Sequence, residues 1–398
     1  MQRTCPYHIC LCQKAASFGG VERFICELAS WLADKDVKVS IVSNHPEVFS
    51  DHLPDNDRVS AVLGLPWQEP TLSLRQAMKA CRLFRRLRAD AVLFNHTKNC
   101  TFVSSVVGSR MAGVRHVVHF YHNILTADPS FRRRRVFPPR ELWATRALVR
   151  LRIVAACADA LVFNNRLSVE NVVNAYHVPA RKVHYMDLGT DTQRFRPNIG
   201  AGREQRRLLG LSEGAFVLGS SCRLSKEKGL VFLLEAVARA REARPEANIC
   251  CVILGEGPQR DELALRAGQL GIGGRVIFTG FVANVHEMLN ALDAFALVSS
   301  YEPFGLSLIE AMSTGLPCIA TRVGGMQDII TDGKDGYLVD SGDHEALKDR
   351  IVGLADAPER RRELGAEARR TALRRFRHER VWEGLAHFLG APGYEAEP

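Results

Sequence analysis

The sequence of 398 residues contains no apolar run that approaches the roughly 18–20 residues needed to span a bilayer. Its N-terminus lacks the basic, apolar and small-residue segments of a secretory signal peptide. It also shows no internal repeat of solenoid period and no low-complexity tract. We therefore expect a soluble, non-exported protein, and the 46% hydrophobic composition is sufficient for sizeable buried cores.

Paired cysteines and metal-ligand clusters are missing as well. The eleven cysteines are odd in number, scattered, and mostly placed in apolar strand-like runs, which favours reduced core thiols in the cytosol. Cys10-Leu-Cys12 resembles half of a zinc site, but no Cys or His pair follows at the required spacing. Two acidic pairs, Asp34-Lys-Asp36 and Asp55-Asn-Asp57, fall between predicted elements and are interpreted as turns. Gly255-Glu-Gly257 is followed by Pro258 and lacks the third glycine of a dinucleotide fingerprint. We expect no essential metal and no cofactor.

Positive charge is concentrated in one part of the chain. The formal net charge is +9, but residues 72–152 hold 17 basic and 3 acidic side chains and therefore carry +14 alone. Cations alternate with aromatic and aliphatic side chains in Arg82-Leu-Phe-Arg-Arg-Leu-Arg88 and Phe131-Arg-Arg-Arg-Arg-Val-Phe137, and Trp143 follows. Such segments attract anionic lipid head groups at about 1 kcal/mol per basic residue. A nucleic-acid-binding surface, or a solvated face without any partner, has the same pattern.

Short apolar runs alternate with segments of helical period, which is typical of βαβ units in a parallel sheet. Two series of such runs occur, and each predicts a doubly wound α/β domain. The predicted strands are residues 8–12, 37–43, 91–95, 114–120, 160–164 and 183–187 in the first series, and 216–222, 249–254, 276–280, 294–298, 318–321 and 337–339 in the second.

A linker between the two series is predicted at residues 194–202, where proline and glycine interrupt the periodicity. The domains are accordingly placed at residues 1–195 and 196–374. Because ligands bind at the carboxyl ends of parallel strands, functional residues are expected in the loops that follow strands, in a cleft between the two domains.

The most informative segment follows the predicted strand at residues 294–298. Pro303 and Gly305 form a turn, and residues 306–314 are predicted to be helical with Gly315 at the end. Glu302 then precedes the helix, Glu310 lies on its second turn, and the first amides, of Gly305, Leu306 and Ser307, are available to a phosphate. Taken alone, such a glutamate pair is more often a helix-capping residue and a solvated residue.

Other segments complete a collinear pattern. They are Ser221-Cys-Arg-Leu-Ser-Lys-Glu-Lys-Gly229, Leu254-Gly-Glu-Gly-Pro258, Phe278-Thr-Gly-Phe281, a segment from Cys318 that contains Gly324-Gly325, and a segment from Asp187 to Pro197. With Glu302 and Glu310 separated by seven residues, the chain resembles the retaining glycosyltransferases of family 4 over nearly its whole length. One departure is Cys222, which stands where the family's donor-phosphate motif usually has glycine.

The resemblance implies the GT-B fold, in which two Rossmann-like domains face one another across a cleft, with the C-terminal helix, at residues 375–398, packed back on the N-terminal acceptor-binding domain. It implies that Arg223 and Lys228 neutralise the diphosphate of a UDP- or GDP-sugar. Glu310 would accept hydrogen bonds from ribose hydroxyls, and Glu302 would bind the donor sugar without acting as a covalent nucleophile. The Gly305, Leu306 and Ser307 amides would contact sugar or phosphate.

In the first domain, the resemblance assigns a cleft loop to Gly19 and Gly20 and an active-site role to His122. His119 lies three residues earlier, within the predicted strand, and is interpreted as a packed residue, although the choice between the two histidines stays open.

The function predicted from these features is transfer of a sugar, with retention of configuration, to a hydroxyl of a glycan or lipid-linked acceptor in cell-surface polysaccharide or lipopolysaccharide biosynthesis. The predicted location is the cytoplasm, at the inner face of the membrane, with contact to anionic lipid through residues 82–152 and no nucleic-acid partner. The alternatives left open are a nucleotide-sugar epimerase or phosphorylase on a related scaffold, and a basic nucleic-acid-binding protein.

Overall fold

The computed structural model describes residues 6–15, 20–54, 56–64, 72–96, 102–122 and 140–394, without the side chains of residues 140–148. The chain divides into two compact units. Met1–Met186 together with Val381–Pro398 form the first unit, and Asp187–Arg380 form the second. Each unit is built on one parallel sheet.

The first unit contains a seven-stranded sheet in the order β3-β2-β1-β4-β5-β6-β7. Its strands are β1 (His8–Gln13), β2 (Lys38–Ser43), β3 (Val59–Leu63), β4 (Ala91–His96), β5 (His116–Tyr121), β6 (Ala160–Phe163) and β7 (Val183–Tyr185). Its helices are α1 (Gly20–Ala33), α2 (Glu47–Ser50), α3 (Leu74–Leu87), α4 (Val103–Met111), α5 (Arg140–Cys157) and α6 (Arg166–Asn174), with α15 (His378–Phe388) reached at the end of the chain. The described core lies between the sheet and these helices and includes Phe84, Phe94, Phe102 and Phe163.

The second unit contains a six-stranded sheet in the order β10-β9-β8-β11-β12-β13. Its strands are β8 (Phe216–Ser221), β9 (Ile249–Leu254), β10 (Val276–Gly280), β11 (Ala294–Leu297), β12 (Cys318–Thr321) and β13 (Tyr337–Val339). Its helices are α7 (Ile199–Leu208), α8 (Leu230–Ala243), α9 (Arg260–Gln269), α10 (Val285–Leu289), α11 (Leu306–Thr314), α12 (Met326–Ile329), α13 (His344–Asp356) and α14 (Pro358–Arg375).

In both sheets, successive strands are added on one side of the first strand and then on its other side. In the first unit β1 pairs with β2 on one side and β4 on the other. In the second unit β8 pairs in the same way with β9 and β11. In open parallel sheets this reversal leaves a crevice at the carboxyl ends of the two central strands, where ligands bind.

The predicted doubly wound α/β architecture is therefore present in both halves, and most predicted strands coincide with observed ones. Residues 249–254, 276–280, 318–321 and 337–339 match β9, β10, β12 and β13 at both ends. The prediction missed β3, whose residues are half-buried or exposed at the edge of the sheet and so lack a long apolar run.

The linker predicted at residues 194–202 is wrong. The Asn198 side chain accepts a hydrogen bond from the Ala201 amide at 3.1 Å, and α7 begins at Ile199. A Cβ atom on Gly202 would lie 2.2 Å from the carbonyl oxygen of Asn290. Gly202, one of the residues on which the linker prediction rested, instead permits close packing of a helix.

The boundary between the units lies nine residues earlier than the predicted 195/196 boundary, because the segment after Met186 packs within the second unit. Asp187 is bound by the Arg375 guanidinium at 3.0 and 3.2 Å. The Thr190 amide donates to the Phe376 carbonyl at 2.7 Å. The segment that returns to the first unit was predicted to begin at residue 375. Arg375 instead belongs to the second unit, which ends at Arg380.

The chain returns to the first unit at Val381. The Trp382 ring lies against Trp31 of α1 with 5.9 Å between centroids, and the Tyr7 hydroxyl donates to the Leu389 carbonyl at 2.7 Å. From Val381 onward, helix α15 is thus part of the first unit, after an interruption by the second unit.

Within the described ranges, no helix is both long enough and apolar enough to cross a bilayer. The described cysteines are unpaired and buried or half-buried. Burial raises the pKa of the Cys10 and Cys251 thiols to about 12, so both are neutral packing groups.

Candidate functional site

In the second unit, the loops that follow the neighbouring strands β8 and β11 meet at the carboxyl edge of the sheet. The first loop contains a 3₁₀ turn at Lys226–Lys228. The second leads through Glu302 to helix α11. The Ser300 amide donates to the Glu227 carbonyl at 2.8 Å, which joins the two loops through their backbones.

A glycine makes this close approach possible. Gly229 has φ of +66°, and a Cβ atom at this position would lie 2.2 Å from the carbonyl oxygen of Val298. An L-residue would therefore meet both a disfavoured backbone conformation and a backbone collision. Glycine lets the first loop run directly against the end of β11, and this contact places the preceding residue, Lys228, beside Glu302.

Lys228 and Glu302 form an ion pair, with 2.7 Å between Nζ and Oε2, and their side chains are 20% and 11% exposed. The same Glu302 oxygen accepts a hydrogen bond from the Ser299 hydroxyl at 3.3 Å. Glu302 is thus a largely buried carboxylate held by one cation and one hydroxyl at a strand end.

The backbone of Glu302 is also held by Gly325, in the loop after β12. The Gly325 amide donates to the Glu302 carbonyl at 3.2 Å. A Cβ atom on Gly325 would lie 2.5 Å from the Pro303 carbonyl oxygen, so only glycine allows this approach. Gly325, the second glycine of the predicted pair, therefore positions Glu302 by close packing.

Helix α11 begins after Gly305, whose φ of +113° accounts for glycine at this turn. The first helical bonds run from the Leu308 and Ile309 amides to the Gly305 carbonyl. The amides of Gly305, Leu306 and Ser307 precede this ladder, as they do in the first turn of any helix, and they point in the direction of the positive end of its dipole. The helix ends at Gly315, with φ of +84°, as the sequence predicted.

The remaining predicted donor-site residues are Arg223 and Glu310. Arg223 is exposed in the loop after β8, and in the part of the chain that the structure describes it forms no ion pair. Glu310 lies half-buried on the second turn of α11. The structure thus places Lys228 and Glu302 in direct contact and leaves Arg223 on the same loop as Lys228.

The residue that departs from the expected motif, Cys222, packs at the base of this loop. A Cβ atom on Gly255 would lie 2.1 Å from the Cys222 carbonyl oxygen. A Cβ atom on Gly257 would collide with the Leu224 carbonyl oxygen in the same way. Gly255 and Gly257 thus allow two loops to pack closely. Burial raises the pKa of Cys222 to about 11, so the thiol is neutral.

At the carboxyl edge of the first sheet, His122 follows β5 and is 9% exposed. Its ring lies between Phe120 and Phe24, with centroid distances of 4.6 and 5.8 Å. Its Nε2 atom is 2.6 Å from the Asn95 side-chain oxygen. Burial lowers the pKa of His122 to about 4, so the ring is neutral near neutral pH.

His119, the alternative histidine, is fully buried inside β5. Its ring stacks on Phe94 at 4.8 Å, and its Nδ1 atom is 2.6 Å from Nε2 of His96. Burial lowers the pKa of His119 well below its usual range. His119 is therefore a packed residue, and His122 is the histidine at the strand end.

Of the predicted glycine pair, Gly20 is the first residue of α1, and Gly19 lies outside the described residues. Asn123, the arginines at 132–135 and Asp55 also lie outside them, as does the Trp143 side chain. Asp34 and Asp36 form the predicted turn between α1 and β2. Among the described residues, no cluster of three or more His, Cys, Asp or Glu side chains could hold a metal ion.

Sequence reasoning missed several polar residues that lie at the same two sheet edges. Ser299 binds Glu302, while Asn95 binds His122 and in turn contacts Gln13 at the end of β1. Gln13 and Asn95 are polar residues that end otherwise apolar strands, and this is a signal for a binding edge that the sequence did offer.

Two family models match the chain side by side. The model for glycosyltransferase family 4 matches residues 18–194, and the model for glycosyl transferases group 1 matches residues 202–371. Together they account for most of the chain and meet close to the boundary between the two units.

Two curated proteins illustrate the similarity. The UDP-Gal:alpha-D-GlcNAc-diphosphoundecaprenol alpha-1,3-galactosyltransferase of Escherichia coli is 25% identical over 343 residues, 85% of each protein. The lipopolysaccharide core biosynthesis glycosyltransferase LpsE of Rhizobium meliloti is 32% identical over 195 residues, 48% of this chain and 56% of LpsE. The matched region spans about half the length of several such relatives.

Among solved structures, HepE of Anabaena in complex with UDP superimposes with a TM-score of 0.78 at 21% identity, over 97% of this chain and all of HepE. The lipopolysaccharide glycosyltransferase WaaG has a TM-score of 0.70 at 18% identity, over 96% of this chain and all of WaaG. The architecture that these proteins share, the GT-B fold with two Rossmann-like domains, is also the fold of this chain.

Proposed function

Since the chain belongs to glycosyltransferase family 4, we propose that it transfers a sugar from a UDP- or GDP-sugar to a hydroxyl of a glycan or lipid-linked acceptor, in polysaccharide or lipopolysaccharide biosynthesis. The names of the relatives described above support this substrate class.

The observation that carries the proposal is the contact between Lys228 and Glu302 at the end of β8 and β11. A lone pair of this kind could serve only to join two loops. Here it lies at the strand ends beside the reversal point of a parallel sheet, immediately before the first turn of α11. A cation, a carboxylate and a set of helix-terminal amides at that edge suit a ligand that carries both phosphate and sugar hydroxyls.

We assign the residues as follows. Lys228 and Arg223 neutralise the diphosphate, and the Gly305, Leu306 and Ser307 amides contact the phosphate or sugar. Glu302 accepts hydrogen bonds from sugar hydroxyls, and Glu310 from the ribose. Arg223 is exposed, so it can turn toward a bound diphosphate without breaking an ion pair among the described residues.

The proposed transfer retains the anomeric configuration. The bond from the anomeric carbon to the diphosphate oxygen breaks, the acceptor hydroxyl oxygen forms a new bond on the same face, and its proton passes to the departing phosphate. The cations stabilise the charge that develops on the leaving group. Glu302 stabilises the positive charge on the sugar and forms no covalent intermediate, in contrast to the nucleophile of a retaining glycoside hydrolase. No step requires a metal.

The donor is tested first by thermal unfolding of the full chain with UDP, GDP and their sugars, because a ligand that binds the folded state raises its apparent stability. We expect one nucleotide series to stabilise the protein and Lys228→Ala to abolish the effect. The product formed with that donor and a set of glycan acceptors then gives the configuration by NMR. No stabilisation by either nucleotide would contradict the proposed donor, and an inverted product would contradict retention.

We further propose that the first unit attaches to anionic membrane surfaces, where lipid-linked acceptors are located. Helix α3 supports this. Its basic face consists of the exposed residues Arg75, Lys79, Arg82 and Arg86, at helical spacing. Leu74 and Met78 lie beside it and are 68% and 39% exposed. Exposed apolar groups next to cations are typical of a surface that enters the lipid head-group region.

The membrane proposal is tested by sedimentation with vesicles that contain phosphatidylserine. Glutamine at all four positions of the basic face should weaken binding on the order of 100- to 1,000-fold, at about 1 kcal/mol per cation. The matched control replaces four exposed arginines of the second unit with glutamine, namely Arg207, Arg239, Arg362 and Arg370. Equal loss in both variants, or equal binding to neutral vesicles by the wild type, would contradict the proposal.

A further inference from the structure

A row of hydrogen-bonded, buried side chains connects His122 to the first turn of α1. The Asn95 amide nitrogen donates to Oε1 of Gln13 at 2.6 Å, and Nε2 of Gln13 donates to Oε1 of Glu22 at 3.2 Å. Gln13 and Asn95 are fully buried and Glu22 is 8% exposed. This row of side chains thus crosses the carboxyl edge of three neighbouring strands, β1, β4 and β5, and reaches helix α1.

The direction of these hydrogen bonds follows from the groups at the Glu22 end. Nε2 of Gln13 lies 2.8 Å from the Lys14 carbonyl oxygen as well as near the Glu22 carboxylate. The Lys14 carbonyl oxygen can only accept a hydrogen bond, so the NH₂ group of Gln13 must face it and, with it, the Glu22 carboxyl group on the same side. Its oxygen therefore faces Asn95, which must present its own NH₂ group to it.

This orientation leaves the Asn95 oxygen facing Nε2 of His122 at 2.6 Å, and an oxygen in this position can only accept. Nε2 must then carry the proton. Because burial keeps the ring neutral, its other nitrogen, Nδ1, carries a lone pair. In the described residues no second hydrogen bond to the ring is formed, so Nδ1 can accept one from elsewhere.

We propose that Glu22, Gln13 and Asn95 are positioning residues that hold His122 in the Nε2–H tautomer, so that Nδ1 accepts a hydrogen bond from a hydroxyl group of the bound substrate. The part concerning substrate rests on the proposed glycosyl transfer, whereas the tautomer is a property of the free protein. Glu22 suits the end of this row of side chains because a carboxylate in the first turn of a helix is stabilised by the helix dipole. The buried row also explains why Glu22, which a surface helix would normally expose, is turned inward.

The tautomer is measured directly on the full-length wild type with ¹⁵N-labelled histidine. Multiple-bond proton–nitrogen spectra near neutral pH distinguish a protonated ring nitrogen from an unprotonated one, and the His122→Gln variant identifies the resonances of His122. We expect protonation at Nε2 only. A spectrum with the proton on Nδ1, or with both tautomers populated equally, would overturn the proposal without requiring any variant to fold.

The positioning role is tested with Glu22→Gln, which keeps the shape of the side chain but allows it to donate as well as accept. We expect His122 to populate both tautomers and donor cleavage to slow about tenfold, in the range of 10- to 100-fold found for partners that orient histidines in metal sites. The donor KM should stay within about twofold, because the change acts through His122 and not on the nucleotide. Glu27→Gln, at a half-buried position on the same helix, is the matched control and should change neither property.

The outcomes separate this inference from the proposed function. If Glu22→Gln folds, as judged by its thermal transition, and keeps both the single tautomer and the full rate, Glu22 is not a positioning residue. If the wild type cleaves no UDP- or GDP-sugar, the proposed function fails, while the histidine spectra of the wild type and Glu22→Gln still decide whether Glu22 sets the tautomer.

Discussion

The Gly229→Ala substitution tests the geometry that brings the two loops of the second unit together. Alanine at φ of +66° costs about 1–2 kcal/mol for the left-handed backbone alone. Its Cβ would also lie 2.2 Å from the Val298 carbonyl oxygen, and forcing a backbone apart in a packed region adds about 1–3 kcal/mol. We therefore expect the free energy of unfolding of the second unit to fall by about 2–5 kcal/mol.

Gly210 provides a matched control in the same unit. Its φ is +65°, and a Cβ atom there would have no neighbour within 4 Å. Gly210→Ala should therefore cost only the backbone term of about 1–2 kcal/mol. The difference between the two variants isolates the collision with Val298.

The assay must report on the second unit alone. All four tryptophans, at positions 31, 67, 143 and 382, belong to the first unit, so their fluorescence does not serve. Hydrogen–deuterium exchange of peptides from α8, which begins directly after Gly229, measures the opening free energy locally. If the two variants differ by less than about 0.5 kcal/mol, the close approach does not constrain the loop and our account of how Lys228 reaches Glu302 is wrong.

Three further predictions concern the site residues. Lys228→Met leaves Glu302 without its cation, so we expect both lower stability by exchange in α8 and loss of nucleotide stabilisation; an unchanged thermal response to UDP and GDP would refute this role. Arg223→Ala should weaken donor binding at least about tenfold without altering stability, since the exposed side chain has no ion pair among the described residues; equal donor affinity by calorimetry would exclude it from the phosphate site. Because the pKa of His122 is lowered to about 4, the unfolded chain takes up a proton between about pH 6.5 and 4 that the folded chain does not. The free energy of unfolding therefore decreases as the pH is lowered from about 6.5 to 4. His122→Gln should remove up to about 3 kcal/mol of this acid sensitivity, measured by urea unfolding followed by tryptophan fluorescence, and an unchanged pH profile would contradict the burial of a neutral ring.

The architecture could be predicted because buried parallel strands have short apolar sequences, which alternate with segments of helical period. The prediction missed β3, an edge strand with little buried surface. It also misplaced the linker, because proline and glycine interrupt the periodicity at residues 194–202. Gly202 faces the Asn290 carbonyl, a contact between residues far apart in the sequence. Proximity of that kind leaves no local pattern.

The same distinction holds for the site. Glu302, Lys228 and the first turn of α11 could be predicted because their motifs are contiguous, and the structure adds that the first two residues touch. The row of hydrogen-bonded side chains from Glu22 to His122 could not be predicted, since it depends on which strands are neighbours and on the orientation of each side-chain amide. Only the polar residues at the strand ends hinted at it.

The interruption of the first unit by the second has a consequence for synthesis. Domains generally fold as units, starting with the N-terminal one while the chain is still being made. Here the Tyr7 hydroxyl finds its acceptor on Leu389, 382 positions along the chain, and Trp31 packs on Trp382. The first unit can therefore be completed only after helix α15 has been synthesised. The second unit can fold before that, and a chain that stopped before α15 would leave Tyr7 and Trp31 of the first unit without these contacts.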